Sequence, residues 1–284
     1  MRIKVYKDRY FSDFFRIFAF VMDRMPRLMG IVNLTDDSFY PPSRLLGADG
    51  SFDRARFLAR CRQMASEGAS WLDLGACSTR PGSVPVSEEI EWSRLSPALD
   101  ALAAEAPELL PLLSVDTFRG GIVRRVFDAV GPFLVNDISR GQLDSSLLPT
   151  VADLGLPYVA MHMRGTPSTM DTLCDYDGDV VGAVHRYFED FTREAGRLGI
   201  REWILDPGLG FAKTPAQCLE LLEHLDTFAD FGRPILVGLS RKRLVRAVGG
   251  DSMDAAMARL HRLAVARGAS ILRVHDVAAA RACL

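Results

Sequence analysis

Cysteine is scarce in this sequence and follows no ligand pattern. The 284 residues include five cysteines, at positions 61, 77, 174, 218 and 283, and none of them forms a CxxC pair or a Cys/His cluster. An odd number of cysteines at irregular spacing argues against a disulfide framework. We therefore expect reduced thiols and a cytoplasmic location.

An excess of one charge is also missing. Lys and Arg together number 34 and Asp and Glu 36, which gives a formal net charge of −2 at pH 7. The two signs are interspersed and no basic stripe is visible, so the sequence gives no reason to expect a nucleic-acid partner.

Long apolar runs are absent as well. Residues 10–22, YFSDFFRIFAFVM, are apolar and aromatic, but Asp13 and Arg16 interrupt them, and the unbroken part is too short to cross a bilayer. No small-residue cleavage site follows, which argues against a signal peptide. We expect no membrane association, and we interpret residues 1–26 as an N-terminal extension that is either disordered or an overlong start, with Met22 or Met25 as the alternative initiator.

Familiar nucleotide and metal motifs are missing too. The sequence contains no GxxxxGK[ST], no strand-linked GxGxxG and no HExxH, which disfavours an ordinary nucleotide fold. No Pro/Ser-rich linker divides the chain. One large domain is therefore the simpler interpretation.

What the sequence does contain is a regular alternation of short apolar runs with helical patterns. The runs are LMGIVN (28–33), WLDLG (71–75), LLSVD (112–116), FLVND (133–137), YVAMHM (158–163), WILDPG (203–208), ILVGLS (235–240) and ILRVHD (271–276). Eight hydrophobic strands, each followed by a helix, are typical of parallel strands that are buried on both faces. We predict a single α/β domain, a (β/α)8 TIM barrel over residues 27–284.

Almost every predicted strand ends in a polar residue. Active sites of this barrel type lie at the C-terminal face of the strands, so the pattern predicts an enzyme with a polar pocket. Carboxylates and an amide at Asp116, Asn136 and Asp206 suit the paired N–H donors of a flat, guanidine-like or aminopyrimidinone edge. Arg80, Arg273 and His275 suit a phosphate or pyrophosphate.

At these residues the sequence resembles the dihydropteroate synthase family. The resemblance rests on eight motifs in family order, one for each strand, over about residues 28–281. They are MGIVNLTDDSF (29–39), LDLGACSTRPG (72–82), LSVDTFR (113–119), LVNDIS (134–139), MHMRGTP (161–167), ILDPGLGFAKT (204–214), GLSRK (238–242) and RVHDV (273–277).

The resemblance implies a folate-biosynthesis transferase, usually a homodimer, that uses Mg²⁺. It would condense 6-hydroxymethyl-7,8-dihydropterin pyrophosphate with para-aminobenzoate, by loss of pyrophosphate and then attack of the arylamine, and sulfonamides would inhibit it. Residues around 254–268 are the expected dimer interface. Two alternatives stay open, namely a non-catalytic pterin-binding paralogue and a barrel related to methyltetrahydrofolate methyltransferases.

The resemblance also implies roles for individual residues. Those implied to contact the pterin are Asp116, Asn136, Met161, Asp206, Gly238 and Lys242. Those implied to form the aminobenzoate site and its loop are Thr79, Arg80, Pro81 and Phe211. Asn33, Arg273 and His275 are implied to hold the pyrophosphate, with Asn33 at the metal. The implied catalytic set is Asn33, Arg80, Lys242, Arg273 and His275.

The sequence departs from the family pattern in four places. Asp36 stands in place of a proline, and GACSTRPG stands in place of GGESTRPG, which puts Ala76 for a glycine and Cys77 for a glutamate. Arg140 stands in place of a glycine, and the stretch from Lys242 to Arg273 is shorter than usual, with Arg243 in place of a serine. The implied chemistry needs no thiolate, so we interpret Cys77 as a bystander.

Three further residues are assigned no catalytic role. We expect Lys213 to be solvated in its loop, His162 to be packed at its strand end, and His261 to lie at the surface or in an interface.

Overall fold

The computed structural model describes residues 25–35, 52–78, 83–239, 243–248 and 252–284. Eight parallel strands form one sheet in these residues. They are β1 (Arg27–Asn33), β2 (Ala69–Gly75), β3 (Leu113–Asp116), β4 (Leu134–Asp137), β5 (Tyr158–Met161), β6 (Trp203–Asp206), β7 (Leu236–Gly238) and β8 (Ile271–Val274).

The strands follow one another around a barrel. Their order in the sheet is β6-β5-β4-β3-β2-β1-β8-β7. The two ends of that sheet meet through a parallel bridge between Leu205 and Ile235, supported by a 2.9 Å hydrogen bond from the Leu205 N–H to the Pro234 carbonyl oxygen. The predicted (β/α)8 barrel is therefore confirmed, with its closure weakest between β6 and β7.

Helices connect the strands and cover the outside of the barrel. In the described part of the chain they are α1 (Arg54–Ser66), α2 (Glu88–Glu105), α3 (Gly120–Val130), α4 (Leu147–Leu154), α5 (Val180–Leu198), α6 (Pro215–Glu223), α7 (Arg243–Val248), α8 (Met253–Ala266) and α9 (Val277–Ala282). Short 3₁₀ helices span Pro107–Leu112, Met170–Thr172 and Leu225–Phe231. No helix among these residues is both long and apolar enough to cross a membrane.

The inside of the barrel is filled by a layer of apolar side chains near the start of the strands. Its members are Met29, Trp71, Leu134, Val159, Ile204, Leu236 and Ile271, and each is at most 2% exposed. Because side chains alternate between the two faces of a strand, the residue two positions further along must point inward too. The apolar layer therefore forms a floor beneath the next inward-facing side chains of the strands.

Candidate active site

A polar layer lies directly above this apolar floor. Two positions after a floor residue come Asp73 on β2, Asn136 on β4, Met161 on β5, Asp206 on β6, Gly238 on β7 and Arg273 on β8. The strand register also places Asp116 level with Asn136 on one side and with Gly75 on the other. The two-residue period thus brings most of the expected site residues to one end of the barrel.

Asp73 is the centre of this layer. It has no exposed surface, and side chains from three other strands donate hydrogen bonds to it. Ser114 Oγ lies 2.6 Å from Asp73 Oδ1, while Arg273 Nε at 2.7 Å and Asn136 Nδ2 at 3.0 Å share Asp73 Oδ2. One buried carboxylate therefore connects β2, β3, β4 and β8.

Arg273 bridges this buried carboxylate to a second, more accessible one. Its Nη2 donates to Asp116 Oδ2 at 2.7 Å, and the side chains of Arg273 and Asp116 are 24% and 11% exposed. Burial raises the pKa of Asp116 to about 7, although the Arg273 guanidinium acts in the opposite direction. Burial alone would lower the pKa of Arg273, but Asp73 and Asp116 hold it above its usual value. Arg273 is therefore a charged residue whose charge is shared between two carboxylates.

Asn33 lies at the end of β1 and pairs with Gly75 of β2. A Cβ placed on Gly75 would lie 3.8 Å from both Asn33 Oδ1 and Asp116 Oδ2, so both oxygens lie close to this glycine. Mg²⁺ prefers oxygen ligands and usually combines one or two protein ligands with substrate phosphates. Within the described ranges no group of three or more His, Cys, Asp or Glu side chains could hold a metal by itself. The oxygen atoms present fit a magnesium ion that relies on a substrate for its other ligands.

Asp206 is the last residue of β6 and precedes the loop that contains Gly208. It is 7% exposed, and its Oδ1 accepts a 2.8 Å hydrogen bond from the Gly208 N–H. Gly208 has a φ of +67°, and a Cβ there would lie 2.0 Å from the His162 carbonyl oxygen. Only glycine fits this turn, because it must adopt a left-handed conformation against another backbone.

A buried lysine holds the same loop in place. Lys213 is 1% exposed, so the expectation that it is solvated is wrong. Its Nζ lies 2.7 Å from His162 Nδ1 and donates to the carbonyl oxygens of Gly208 at 3.1 Å and Phe211 at 3.0 Å. Burial and the neighbouring Lys213 hold the pKa of His162 well below its usual value, so the neutral imidazole can accept from the ammonium. His162 is a packed residue, as predicted.

An apolar cluster borders the polar layer on the side of β4 to β6. It consists of Ile138, Met161, Met163, Met170 and Ala212, with Leu143 and Phe211 packed against it. Met161 and Phe211, expected at the pterin and aminobenzoate positions, therefore belong to one continuous wall.

The structure describes the surroundings of two of the departures from the family pattern, Arg140 and Cys77. Arg140 adopts a φ of +53°, a conformation in which glycine is favoured. Its guanidinium lies 4.4 Å from the Tyr187 ring centroid and donates to the Tyr187 carbonyl oxygen at 3.0 Å. The side chain thus gains contacts that a glycine would lack. Cys77 is 5% exposed, and burial raises the pKa of its thiol, which supports its interpretation as a bystander.

The remaining pterin and pyrophosphate positions lie on β7 and just after β8. Gly238 pairs with Arg273. His275 follows Arg273 by two residues and is half-buried, and its carbonyl oxygen accepts from Arg60 Nη2 at 2.6 Å. The contact from α1 fixes the backbone at the point where β8 leaves the barrel.

Several expected residues lie outside the described part of the chain. They are Thr79, Arg80, Pro81, Lys242, Asp36 and residues 1–24, as well as the side chain of Arg243. Their roles stay predictions. His261 is described and was placed wrongly, because it is 3% exposed rather than at a surface.

The sequence-based site set also omits three residues. Asp73 and Ser114 bind other site residues, and Ile138 adds to the apolar wall. The signal for Asp73 is its position two residues after the inward-facing Trp71. Ser114 looks like an ordinary small strand residue, and only the register with Asp73 reveals its contact.

Comparison with known proteins identifies relatives for this arrangement. Residues 29–275 match the family described as pterin binding enzymes. The chain is 38% identical over 260 residues to the folic acid synthesis protein fol1 of Pneumocystis carinii, which covers 88% of this chain but 34% of that protein. The chain thus spans about a third of the length of that relative. It is 39% identical over 265 residues to a dihydropteroate synthase of Neisseria meningitidis serogroup C, covering 89% of both chains.

A solved structure agrees with these relatives. The Xanthomonas albilineans dihydropteroate synthase with 4-aminobenzoic acid superimposes with a TM-score of 0.76 at 39% identity, covering 90% of both chains.

Proposed function

We propose that this chain is a transferase of folate biosynthesis, because it belongs to the dihydropteroate synthases of the pterin binding enzyme family. It condenses 6-hydroxymethyl-7,8-dihydropterin pyrophosphate with para-aminobenzoate. The C–O bond between the pterin methylene and the pyrophosphate breaks, and a C–N bond to the arylamine forms. The products are 7,8-dihydropteroate, pyrophosphate and the proton lost from the amine.

One observation carries the proposal. Asp116 and Asp206 end β3 and β6, and Asn136 is the penultimate residue of β4, so all three side chains lie at the same end of the barrel. A pterin carries an amino group and a ring N–H on one flat edge, and such donors need acceptors fixed in one plane. The apolar wall with Met161 and Phe211 supplies a surface for the face of the ring.

The departure of pyrophosphate is helped by fixed positive charge. Negative charge develops on the leaving oxygen, and preoriented donors that meet it lower the barrier. Arg273 is held rigidly by Asp73 and Asp116, so its position costs little reorganisation during the reaction. His275, two residues further along the chain, is the second group that we assign to the pyrophosphate.

Mg²⁺ is part of the proposal, with Asn33 as the protein ligand. A bound magnesium ion would neutralise charge on the pyrophosphate. The residues of this chain orient the substrate and exclude water. Asp116, Asn136 and Asp206 orient the pterin, and the cluster around Phe211 excludes water. Arg80, Thr79 and Pro81 are assigned to the loop over aminobenzoate, and Lys242 to the pterin ring, on the strength of the family motifs alone.

Location and assembly are also proposals. Five cysteines without a disulfide among the described residues are compatible with a reducing cytoplasm. A homodimer through α8, which spans Met253–Ala266, is our proposal for the assembly. Sedimentation of the purified chain would test it.

The experiment that tests the proposed function is a turnover assay with the full chain, Mg²⁺ and both substrates. We expect dihydropteroate from the unaltered protein, inhibition by a sulfonamide, and loss of at least two orders of magnitude in rate for Lys242→Ala, which equals about 2.7 kcal/mol. Binding of the pterin substrate without turnover would favour the non-catalytic alternative. Methyl transfer from methyltetrahydrofolate would favour the methyltransferase alternative.

A further inference from the structure

We propose that Asp73 is a positioning residue that fixes the amide of Asn136 in one orientation. Nδ2 faces Asp73 and Oδ1 faces the substrate, so that position 136 recognises a hydrogen-bond donor. The identity of that substrate rests on the proposed function, whereas the orientation of the amide does not.

Asp73 restricts its neighbours to hydrogen-bond donors. An ionised carboxylate can only accept hydrogen bonds, and Asp73 has no exposed surface from which water could supply donors. Its donors come from Ser114, Arg273 and Asn136. The Arg273 guanidinium also pairs with it ionically, with Nη2 at 2.7 Å from Oδ2.

The orientation of the Asn136 amide follows from this contact. The nitrogen and oxygen of an asparagine side chain have similar shapes, and the hydrogen-bond partners decide which is which. Turning the amide over would place Oδ1 about 3 Å from Asp73 Oδ2, where two acceptors repel each other and neither is satisfied. The buried carboxylate therefore excludes the reversed orientation.

The consequence is that Asn136 presents an acceptor to the substrate. Asn136 Oδ1 joins the carboxylates of Asp116 and Asp206, which are likewise acceptors when ionised. A heterocycle with an amino group and ring N–H groups on that edge satisfies all three. One with a carbonyl oxygen there leaves buried acceptors unpaired, and sites of this kind discriminate strongly against such analogues.

The same carboxylate also sets the position of Arg273. Nε and Nη2 of the guanidinium both contact Asp73 Oδ2, while Nη2 reaches Asp116. Asp73 has no exposed surface, and it lies two residues before Gly75, the register partner of Asp116, so it contacts its neighbours in the layer and not the substrate. It therefore acts through Asn136 and Arg273, and a loss of Asp73 would disturb both.

Asparagine-selective labelling tests the orientation directly. The chain contains two asparagines, Asn33 and Asn136, so a sample with ¹⁵N- and ¹³C-labelled asparagine gives two side-chain amide signals, and Asn33→Asp assigns them. On addition of 6-hydroxymethyl-7,8-dihydropterin we expect the Asn136 carbonyl carbon to shift, because Oδ1 gains a partner. The Nδ2 hydrogen that faces Asp73 should move little, because it already has a partner. Shifts confined to the Nδ2 hydrogens would overturn the proposal.

A charge-conserving exchange tests the role of Asp73 in binding. Asn136→Asp places a second carboxylate against Asp73 and should weaken pterin binding by about tenfold or more, since about 1.4 kcal/mol corresponds to a factor of ten. Adding Asp73→Asn restores a donor facing an acceptor, but the same position also faces the Arg273 guanidinium, so the recovery is partial. We expect the double variant to bind the pterin about threefold more tightly than Asn136→Asp alone.

The control is Asp226→Asn, which alters an exposed carboxylate on the outside of the barrel and should leave binding unchanged. A double variant that is folded, by its thermal midpoint, yet binds no better than Asn136→Asp would overturn the proposal. If the unaltered protein failed to bind the pterin at all, the proposed function would fail instead. The labelling result on the free protein would still report the amide contact through slow exchange of the Nδ2 hydrogens.

Discussion

The ion pairs of Arg273 lead to a stability prediction of definite size. Arg273→Met keeps most of the side-chain volume but removes the positive charge from Asp73, which has no exposed surface, and from Asp116, which is 11% exposed. Breaking a buried ion pair by removing one partner costs about 3–5 kcal/mol, because the other charge stays buried without compensation. We expect a loss of this size in the free energy of unfolding at pH 8.

The matched control is Arg267→Met. Arg267 pairs with Asp226 at 3.2 Å, but the two side chains are 45% and 57% exposed. Exposed pairs contribute about 1 kcal/mol or less. The two variants therefore make the same chemical change with and without solvent screening.

The assay is urea unfolding followed by the fluorescence of the three tryptophans, at pH 8 and at pH 6. Removing Arg273 lets burial raise the pKa of Asp116 further, so that at pH 6 this carboxyl is protonated and the loss should be smaller. Equal losses for Arg273→Met and Arg267→Met at pH 8 would show that burial does not strengthen the Arg273 ion pairs.

Three further predictions follow from single groups. Burial raises the pKa of Asp116 to about 7, so calorimetric affinity for 6-hydroxymethyl-7,8-dihydropterin, which needs the ionised carboxylate, should rise as pH rises through about 7, and a profile that falls over this range would contradict it. Burial lowers the pKa of His261 to about 4, below the value of about 6.5 in an unfolded chain. The unfolded chain thus binds the proton first, and stability should be lost as pH falls from about 6.5 towards 4. His261→Gln should reduce this acid loss of thermal midpoint, and an unchanged loss would count against the burial. Cys77→Ser should keep turnover within about twofold, because a group that touches no reacting atom contributes little to the barrier, and abolished turnover with intact pterin binding would assign the thiol a role after all.

The sequence was sufficient to predict the barrel and the end at which its polar residues gather. Both follow from local periodicity, because apolar runs define the strands and a two-residue alternation defines their inward faces. Asn136, Asp206 and Arg273 could be placed on the inner face in this way, each two residues beyond an inward apolar residue.

The contacts between those residues could not be predicted, because they depend on register between strands that are distant in sequence. Asp73 and Arg273 are separated by 200 residues, and nothing local indicates that they pair. Lys213 was misjudged for the same reason, since a lysine in a glycine-rich loop resembles a solvated one until His162 is brought beside it from another strand.

Synthase activity can be measured as the release of pyrophosphate from 6-hydroxymethyl-7,8-dihydropterin pyrophosphate, with and without para-aminobenzoate. The measurement uses the purified full chain with Mg²⁺, and dihydropteroate is quantified by mass spectrometry in the same samples. We expect dihydropteroate to form only when para-aminobenzoate is present and to match the pyrophosphate released mole for mole. Tight binding of the pterin substrate with no dihydropteroate would contradict this expectation.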